Sequence, residues 1–593
     1  MIPYNAPIRD MTFALESLGA LEQVADLPGH EDITPDLVEQ VLTEAGKLAG
    51  EAIAPLNYDG DKTGSTLENG VVRTPDGFRD AYRAYVDGGW NSIPFSPDYG
   101  GQGLPWTVAT AVQEMWQSAN LSWALCPLLT IGAVECLMAH GTEGQKATYL
   151  DKLVSGEWAG TMNLTEPQAG SDLALVKAKA VPDGDRYRIS GQKIYITYGE
   201  HDWTDNIVHL VLARLPDAPE GVKGISLFLV PKFLVNADGS LGQRNDLRCV
   251  SLEHKLGINA SPTCVMAYGD DDGAIGELIG DPHQGLRCMF TMMNNARLNV
   301  GLQGLAIAER AYQQARDYAM ERKQGQGNGA GTVTIIHHPD VRRMLMTMKA
   351  TIEAMRGLAY ETALALDLAK GADGAEQRAE WQARVDLLTP IVKAWCTDSG
   401  VEMTSLGIQV HGGMGYIEET GAAQHWRDSR ITPIYEGTNG IQAADLVGRK
   451  VLRDKGRAAN VYFAELDALI AELAKSSDEH LAAIRIQLAA GSEALQNATA
   501  WLIDNADEAG RPLSGASPYL KMFGTVAGGA VMARQALTAM QGVATNGDDP
   551  AFGEAKIVTA RFFAENVLPA TVGLLAAVTS GHSTIAALDE SQF

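Results

Sequence analysis

Residues Arg186–Ile196 read RYRISGQKIYI. β-Branched and aromatic side chains crowd this run, and the turn pair Asp183-Gly184 precedes it, so it reads as a strand. Alone, it is a strand with an inward-facing aromatic, Tyr195. Ile207–Ala213 (IVHLVLA) and Gly224–Val230 (GISLFLV) have the same character, and Leu252–Tyr268 continues it. The sequence on either side is of another kind. Thr34–Ala54 (TPDLVEQVLTEAGKLAGEAIA) places Leu37, Val38, Val41, Leu42 and Leu48 on one helical face, with Thr34 as N-cap and Pro35 at the first position. Thr107–Ser118 and Pro127–His140 read as helices too, and Ile93–Trp106 as a Gly/Pro loop between helical stretches. Beyond the strands, Met289–Glu321, His338–Ala369 and Gln377–Leu406 are helical, with Gly325–Thr332 as a mobile Gly-rich linker. A last helical part runs from Ala458 to about Ser580, with apolar periodicity at Leu466–Leu473 and Leu481–Leu495. The expected class is mainly α with a central β domain. The expected division is 1–162 helical, 163–282 β, 283–455 a helical bundle and 456–593 a helical extension.

Whole-chain properties exclude several function classes. The chain has 593 residues, 46% hydrophobic and 20% charged, which is ample for a large core. Its net charge of −26 disfavours nucleic acid and anionic membranes as general partners. The six cysteines form no C-x-x-C pair, so neither a zinc site nor a disulfide scaffold is expected, and no metal is assigned. The start, MIPYNAPIRDMTFAL, lacks the basic and apolar regions of a leader, and no stretch reads as long enough for a membrane span. A cytoplasmic protein is the default.

Four segments carry chemistry. Thr161–Asp172 (TMNLTEPQAGSD) offers the hydroxyls of Thr165 and Ser171 and a turn of backbone N–H groups, which suits a flavin or a phosphate; a purely structural loop is the alternative. Gly191–Gly199 (GQKIYITYG) adds Tyr195 and Thr197. Leu406–Tyr416 (LGIQVHGGMGY) has glycines that only loosely resemble a phosphate loop, and no G-x-G-x-x-G follows a strand, which disfavours a Rossmann site. Arg427–Gln442 (RDSRITPIYEGTNGIQ) sets a lone carboxylate, Glu436, between Tyr435 and Gly437, with Thr438 or Asn439 as cap of a following helix. Such a carboxylate is either a base or a helix-start residue that stabilises the dipole.

In their order and spacing, TEPQAGSD, KIYIT, QVHGGMGY and IYEGTNGIQ resemble the acyl-CoA dehydrogenase family over about residues 35–450. The loop Tyr99–Gly103 and the helix holding Arg297 fit as well. The resemblance implies a helical N-terminal domain, a β-barrel middle domain and a four-helix bundle, with FAD across the interface of a dimer or tetramer. It also implies roles. Met162, Leu164, Thr165 and Ser171 line the flavin, and Tyr195 and Thr197 contact its ring and phosphates. Arg322 reaches the FAD of a neighbouring subunit. Gln409, His411, Gly412 and Gly413 hold the adenine half, and Thr438 and Gly440 the pyrophosphate end. Ser171, Asn294, Arg297, Tyr435 and Glu436 meet the acyl-CoA. Glu436 is the base, and its backbone N–H, with a flavin ribityl hydroxyl, holds the thioester carbonyl. Two positions depart from the family, which often has an aromatic at Gly325 and Asp at Asn294. The length and extension are those of the long form of about 600 residues. The overall resemblance within that form points to 3-methylmercaptopropionyl-CoA as substrate and methylthioacryloyl-CoA as product, in dimethylsulfoniopropionate catabolism, with an electron-transfer flavoprotein as acceptor. An acyl-CoA oxidase, a dehydrogenase for another short-, medium- or long-chain acyl-CoA, a flavin monooxygenase and a non-catalytic flavin- or acyl-CoA-binding scaffold remain as rivals; a scaffold needs no base at Glu436, and such monooxygenases usually lack that carboxylate.

Overall fold

The computed structural model describes residues 3–327, 331–508, 510–542 and 549–593. The chain gathers into two compact units. One holds Lys47–Leu104 and Ala119–Arg297; the other holds the residues up to Gly46, Pro105–Ser118 and Leu298–Phe593.

The first unit contains the β domain. Its eight-stranded sheet runs Leu247–Leu252, Thr263–Tyr268, Arg186–Thr197, Ala274–Ile279, Ile225–Pro231, Ile207–Arg214 and Ala159–Asn163. The eighth strand, Lys179–Asp183, pairs with both Arg186–Thr197 and Ile207–Arg214, closing five strands into a ring. All ladders are antiparallel except those of Ala159–Asn163 and Lys179–Asp183 with Ile207–Arg214. Ile207–Arg214 and Ile225–Pro231 are buried almost throughout, as their unbroken apolar runs require. Val211, Phe228, Ile189, Cys264 and Met266 meet in the core inside. The helix Leu121–His140 is buried on nearly all sides in this unit, and Trp123 packs among Tyr82, Tyr85 and Trp203. It begins at the Asn120 cap, with Pro127 inside it, so the sequence reading placed its start too late.

Three expectations are corrected. Tyr195 does not face inward: it is 60% exposed with φ +61°, because the ladder to Thr263–Tyr268 shifts register between Cys264 and Met266 and the alternation of faces breaks there. The Gly-rich linker is a hairpin, Lys323–Gly327 pairing with Gly331–Thr334, while residues 328–330 lie outside the described residues. Among the described residues, two helical stretches are long and apolar enough to cross a membrane by length and composition, Leu121–His140 and Pro550–Ser580. The first is a core helix; the second is two helices, Pro550–Asn566 and Ala570–Ser580, broken at Pro569.

The second unit is a stack of long helices. Pro339–Gly371 and Ala375–His411 pack along each other, and the extension helix Ala516–Met540 lies against both. The approach is close because Gly524 faces Trp395: a Cβ there would lie 2.3 Å from the indole. Trp395 Nε1 donates to Thr525 Oγ1 at 3.2 Å. In the same unit Arg356, Glu114 and Glu309 form a buried ion cluster, joined by Tyr360. Thr34 caps the helix Pro35–Leu48, its Oγ1 accepting from Leu37 N at 3.2 Å, as its sequence predicts. All six cysteines are buried and none is in a disulfide.

Candidate active site

Each unit presents its own set of site residues. In the first, Met162 is buried one residue before the end of the strand Ala159–Asn163, and the chain turns out through the half-buried Leu164 and Thr165. This turn is stiff. Glu166 N and Ala169 N exchange hydrogen bonds with each other's carbonyls at 3.0 and 2.9 Å. The Glu166 carboxylate accepts from Lys177 N (2.7 Å), Ala178 N (3.0 Å), Lys193 Nζ (2.8 Å) and Gln168 Nε2 (2.6 Å). Lys193 Nζ also donates to Leu164 O at 3.0 Å, and Ile194 N to Thr165 O at 2.9 Å. The flavin-matching turn is thereby tied to the strand that carries Tyr195 and Thr197. Burial pushes the Lys193 ammonium down to about 8, although Glu166 opposes it. Burial alone would raise the Glu166 carboxyl, but Lys193 and the two backbone N–H groups hold it below its ordinary value. Ser171 is exposed, and a Cβ on Gly170 would meet only open space. Asn294 is exposed and Arg297 buried, both on the helix Gly285–Glu321.

In the second unit, the helix read from the sequence as Gln377–Leu406 runs further. The helix Ala375–His411 continues through Gln409 and His411, and only Gly412–Tyr416 leaves it, as a 3-10 turn. Gly407 sits inside the helix beside Ala311 and makes no turn. His411 Nδ1 bonds Gly407 O at 2.7 Å, its ring stacks on Tyr318 at 4.5 Å, and burial lowers its basicity. Arg322, exposed, is tied to the same tyrosine through its N–H to Tyr318 O, 2.8 Å. Beyond it, Gly325 has φ +77° and the His338 ring stands 3.0 Å from where a Cβ would be, which explains why a large side chain does not occupy this position.

Glu436 lies on a closed turn. Asn439 N donates to Pro433 O at 2.9 Å across it, and Thr438 Oγ1 accepts from Ile441 N at 3.3 Å as cap of the helix Asn439–Asp445. The Asn439 side chain donates to Ala394 O, Thr397 Oγ1 and Asp398 Oδ1 and accepts from Lys393 Nζ. Tyr435 donates to Gln303 Oε1, and burial, with the Glu436 carboxylate beside it, pushes its phenol up. Glu436 has φ +56° and Gly437 +86°, so two consecutive peptides are left-handed. For a residue with a side chain this region is strained, by about 1–3 kcal/mol, and such strain gathers at functional sites. Gly440 is exposed one position into the helix. Sequence reasoning passed over Lys193, Gln303 and Gln442, although Lys193 and Gln442 stand inside the quoted motifs.

Taken set by set, these residues suit FAD. Gly170, Gly412 and Gly413 leave open space where side chains would stand. Thr165, Ser171, Thr197 and Thr438 supply hydroxyls. Tyr195, Met414 and the 86%-exposed Tyr416 present apolar surface for flat rings.

The comparisons agree with this donor set. Residues 39–157 match "Acyl-CoA dehydrogenase, N-terminal domain", 161–270 its middle domain, 283–452 its C-terminal domain, and 462–589 "Acetyl-CoA dehydrogenase C-terminal like". The chain is 51% identical to a 3-methylmercaptopropionyl-CoA dehydrogenase of Ruegeria pomeroyi, over 95% of this chain and 96% of that one. It is 34% identical to a butyryl-CoA dehydrogenase of Syntrophomonas wolfei, over 100% and 99%. Among solved structures, Caenorhabditis elegans ACDH-11 in complex with C11-CoA shares the fold, with a TM-score of 0.76 at 24% identity over 93% of this chain and 90% of that one. The chain therefore belongs to the acyl-CoA dehydrogenase family and is an FAD-dependent oxidoreductase.

Proposed function

We propose that this enzyme converts 3-methylmercaptopropionyl-CoA to methylthioacryloyl-CoA, with Glu436 removing the α-proton. The observation that carries the substrate is the 51% identity, over nearly the whole chain, to the Ruegeria pomeroyi dehydrogenase of that thioester. The observation that supports Glu436 is its strained, closed turn.

The α-proton of a thioester is too weakly acidic for a free carboxylate, so the enolate charge must be met as it forms. Glu436 brings two groups to that task. Its carboxylate takes the proton, and its backbone N–H donates to the thioester carbonyl. A preorganised donor of this kind is worth about 3–4 kcal/mol by the cost of removing one. FAD, when bound, accepts the hydride from the β-carbon. Met162, Leu164, Thr165, Ser171, Tyr195, Thr197, Thr438 and Gly440 would hold it, and Gln409, His411, Gly412, Gly413 and Arg322 would serve a neighbouring subunit's cofactor. Ser171, Asn294, Arg297 and Tyr435 line the acyl-CoA path. In this reading the enzyme is a cytoplasmic homodimer or tetramer that passes electrons to an electron-transfer flavoprotein, and its functional segments are 1–162, 163–282, 283–455 and 456–593.

The test is flavin bleaching in an anaerobic stopped-flow. Glu436→Gln keeps shape and backbone but removes the base, so the rate should fall by at least 10²–10⁴-fold. A Gln variant with full FAD and bound substrate that reduces within about tenfold of wild type removes Glu436 from the role. A panel of acyl-CoAs ranks substrates; faster bleaching by butyryl-CoA would displace the thioether substrate. Rapid oxygen consumption with acyl-CoA alone would favour an oxidase.

A further inference from the structure

The Glu436 turn is braced by a side chain the reaction as derived does not use. Gln442 lies six residues on, in the helix Asn439–Asp445, and is 1% exposed. Its Nε2 donates to Glu436 O at 3.1 Å and also reaches Gly437 O at 3.4 Å. These carbonyls belong to the two consecutive residues with positive φ. The orientation of the amide follows from them: turned over, its oxygen would face two carbonyl oxygens and repel both. Asn439 and Tyr435 brace the residues around the turn, whereas Gln442 braces the two strained peptides themselves. A non-glycine residue stays in the left-handed region only where its surroundings over-determine it, and here one buried amide binds both carbonyls.

We propose that Gln442 is a positioning residue for proton abstraction: by holding the carbonyls of Glu436 and Gly437, it keeps both residues left-handed and fixes the direction in which the Glu436 side chain leaves the turn. This deepens the reading of Glu436 as base and rests on it. Without Gln442 the two carbonyls are released, the left-handed conformation of Glu436 relaxes and its carboxylate moves. A misplacement of about 1 Å in reacting groups can cost on the order of 10²-fold. Binding of FAD and of the CoA moiety draws on other residues, so the rate should suffer and the affinities should not.

The experiment uses FAD-loaded Gln442→Met and Gln442→Glu with saturating 3-methylmercaptopropionyl-CoA, reading anaerobic flavin reduction per bound flavin. Gln442→Met should slow reduction by about 10- to 100-fold with the half-saturating concentration within about threefold of wild type. Gln442→Glu should show a pH step that wild type lacks, because its neutral acid keeps one donor and its carboxylate none. Rates in both variants within about twofold of wild type, with Glu436→Gln still at least 100-fold slow, would overturn the role of Gln442 and leave the base in place. A fast Glu436→Gln enzyme would overturn the base itself and this proposal with it. If Gln442→Met fails to fold, the Gln442→Glu profile decides, and a flat profile is the refutation.

Discussion

The charge cluster at Arg356 gives the sharpest stability test. Arg356 Nη2 lies 2.7 Å from Glu114 Oε1 and 2.8 Å from Glu309 Oε2, its Nε donates to Glu114 Oε1 at 3.0 Å, and Tyr360 donates to Glu114 Oε2 at 2.7 Å. The three charged side chains are 2%, 0% and 6% exposed. One cation thus serves two carboxylates out of water. Burial raises the Glu114 carboxyl, and Arg356 works against that. Arg356→Met keeps the length and removes the charge, leaving two buried carboxylates facing each other. Removing one partner of a buried pair costs about 3–5 kcal/mol. For a helical unit of this size each kcal/mol lowers the melting midpoint by roughly 2 °C, so the expected fall is about 6–10 °C. The sign of the pH dependence follows. With the arginine gone the buried Glu114 carboxyl loses the charge that opposed its rise and titrates further above its unfolded value, so the folded state binds more protons and the loss grows as pH rises. Calorimetry of the single variant and of Arg356→Met/Glu114→Gln/Glu309→Gln checks this, the neutral amides recovering at least half the loss. A fall under about 2 °C, or a triple variant no better than the single, would refute the reasoning.

Further outcomes follow from other contacts. Glu166, held below the ordinary carboxyl value of 4.5, contributes stability that is present above that value and lost as pH falls through its lower folded value; flavin release on acidification should therefore have a limb that Glu166→Gln flattens, read by free-flavin fluorescence. Gly524→Ala drives a methyl into Trp395, and its expected cost, about 1–3 kcal/mol, is read by thermal unfolding. Truncation after Lys455 uncovers Trp395 and strips Arg384 of Glu465; it should cost solubility or assembly before chemistry, and sedimentation of a truncated protein with unchanged assembly would count against that.

The order helix, strand, helix was legible because each element carries its own periodicity. Ile207–Arg214 and Ile225–Pro231 announce burial by unbroken apolar runs, and Thr34-Pro35 announces a helix start. Tyr195 and the Gly-rich hairpin share one cause of misreading: the partner strand that decides each is not recorded in its local pattern. Tyr195 turned outward because of a register shift against Cys264–Met266, which no local alternation records. Gly407 lay beyond the helix end expected at Leu406, but the helix runs on through it to His411. Gly325–Gly327 looked like a linker until it paired with Gly331–Thr334. The Glu114–Arg356 pair joins residues 242 apart, and neither sequence neighbourhood marks it.

The Glu436 segment shows the same division at finer scale. IYEGTNGIQ holds a carboxylate, a glycine and a cap within local reach, and these suffice to suggest a base at a helix start. They do not say why a glutamate should tolerate φ +56°. That answer is shared between two distances. Gln442 is near in sequence and returns one helical turn later to take both strained carbonyls. Asn439 is anchored far off, by Lys393, Ala394, Thr397 and Asp398 on the helix Ala375–His411. The turn is thus set by a short-range clamp on a long-range anchor. The strain at Glu436, about 1–3 kcal/mol, is offset by hydrogen bonds worth about 1 kcal/mol each, and several of them are needed together. A motif of nine residues is therefore only half of the site: the rest is the helix it is bolted to.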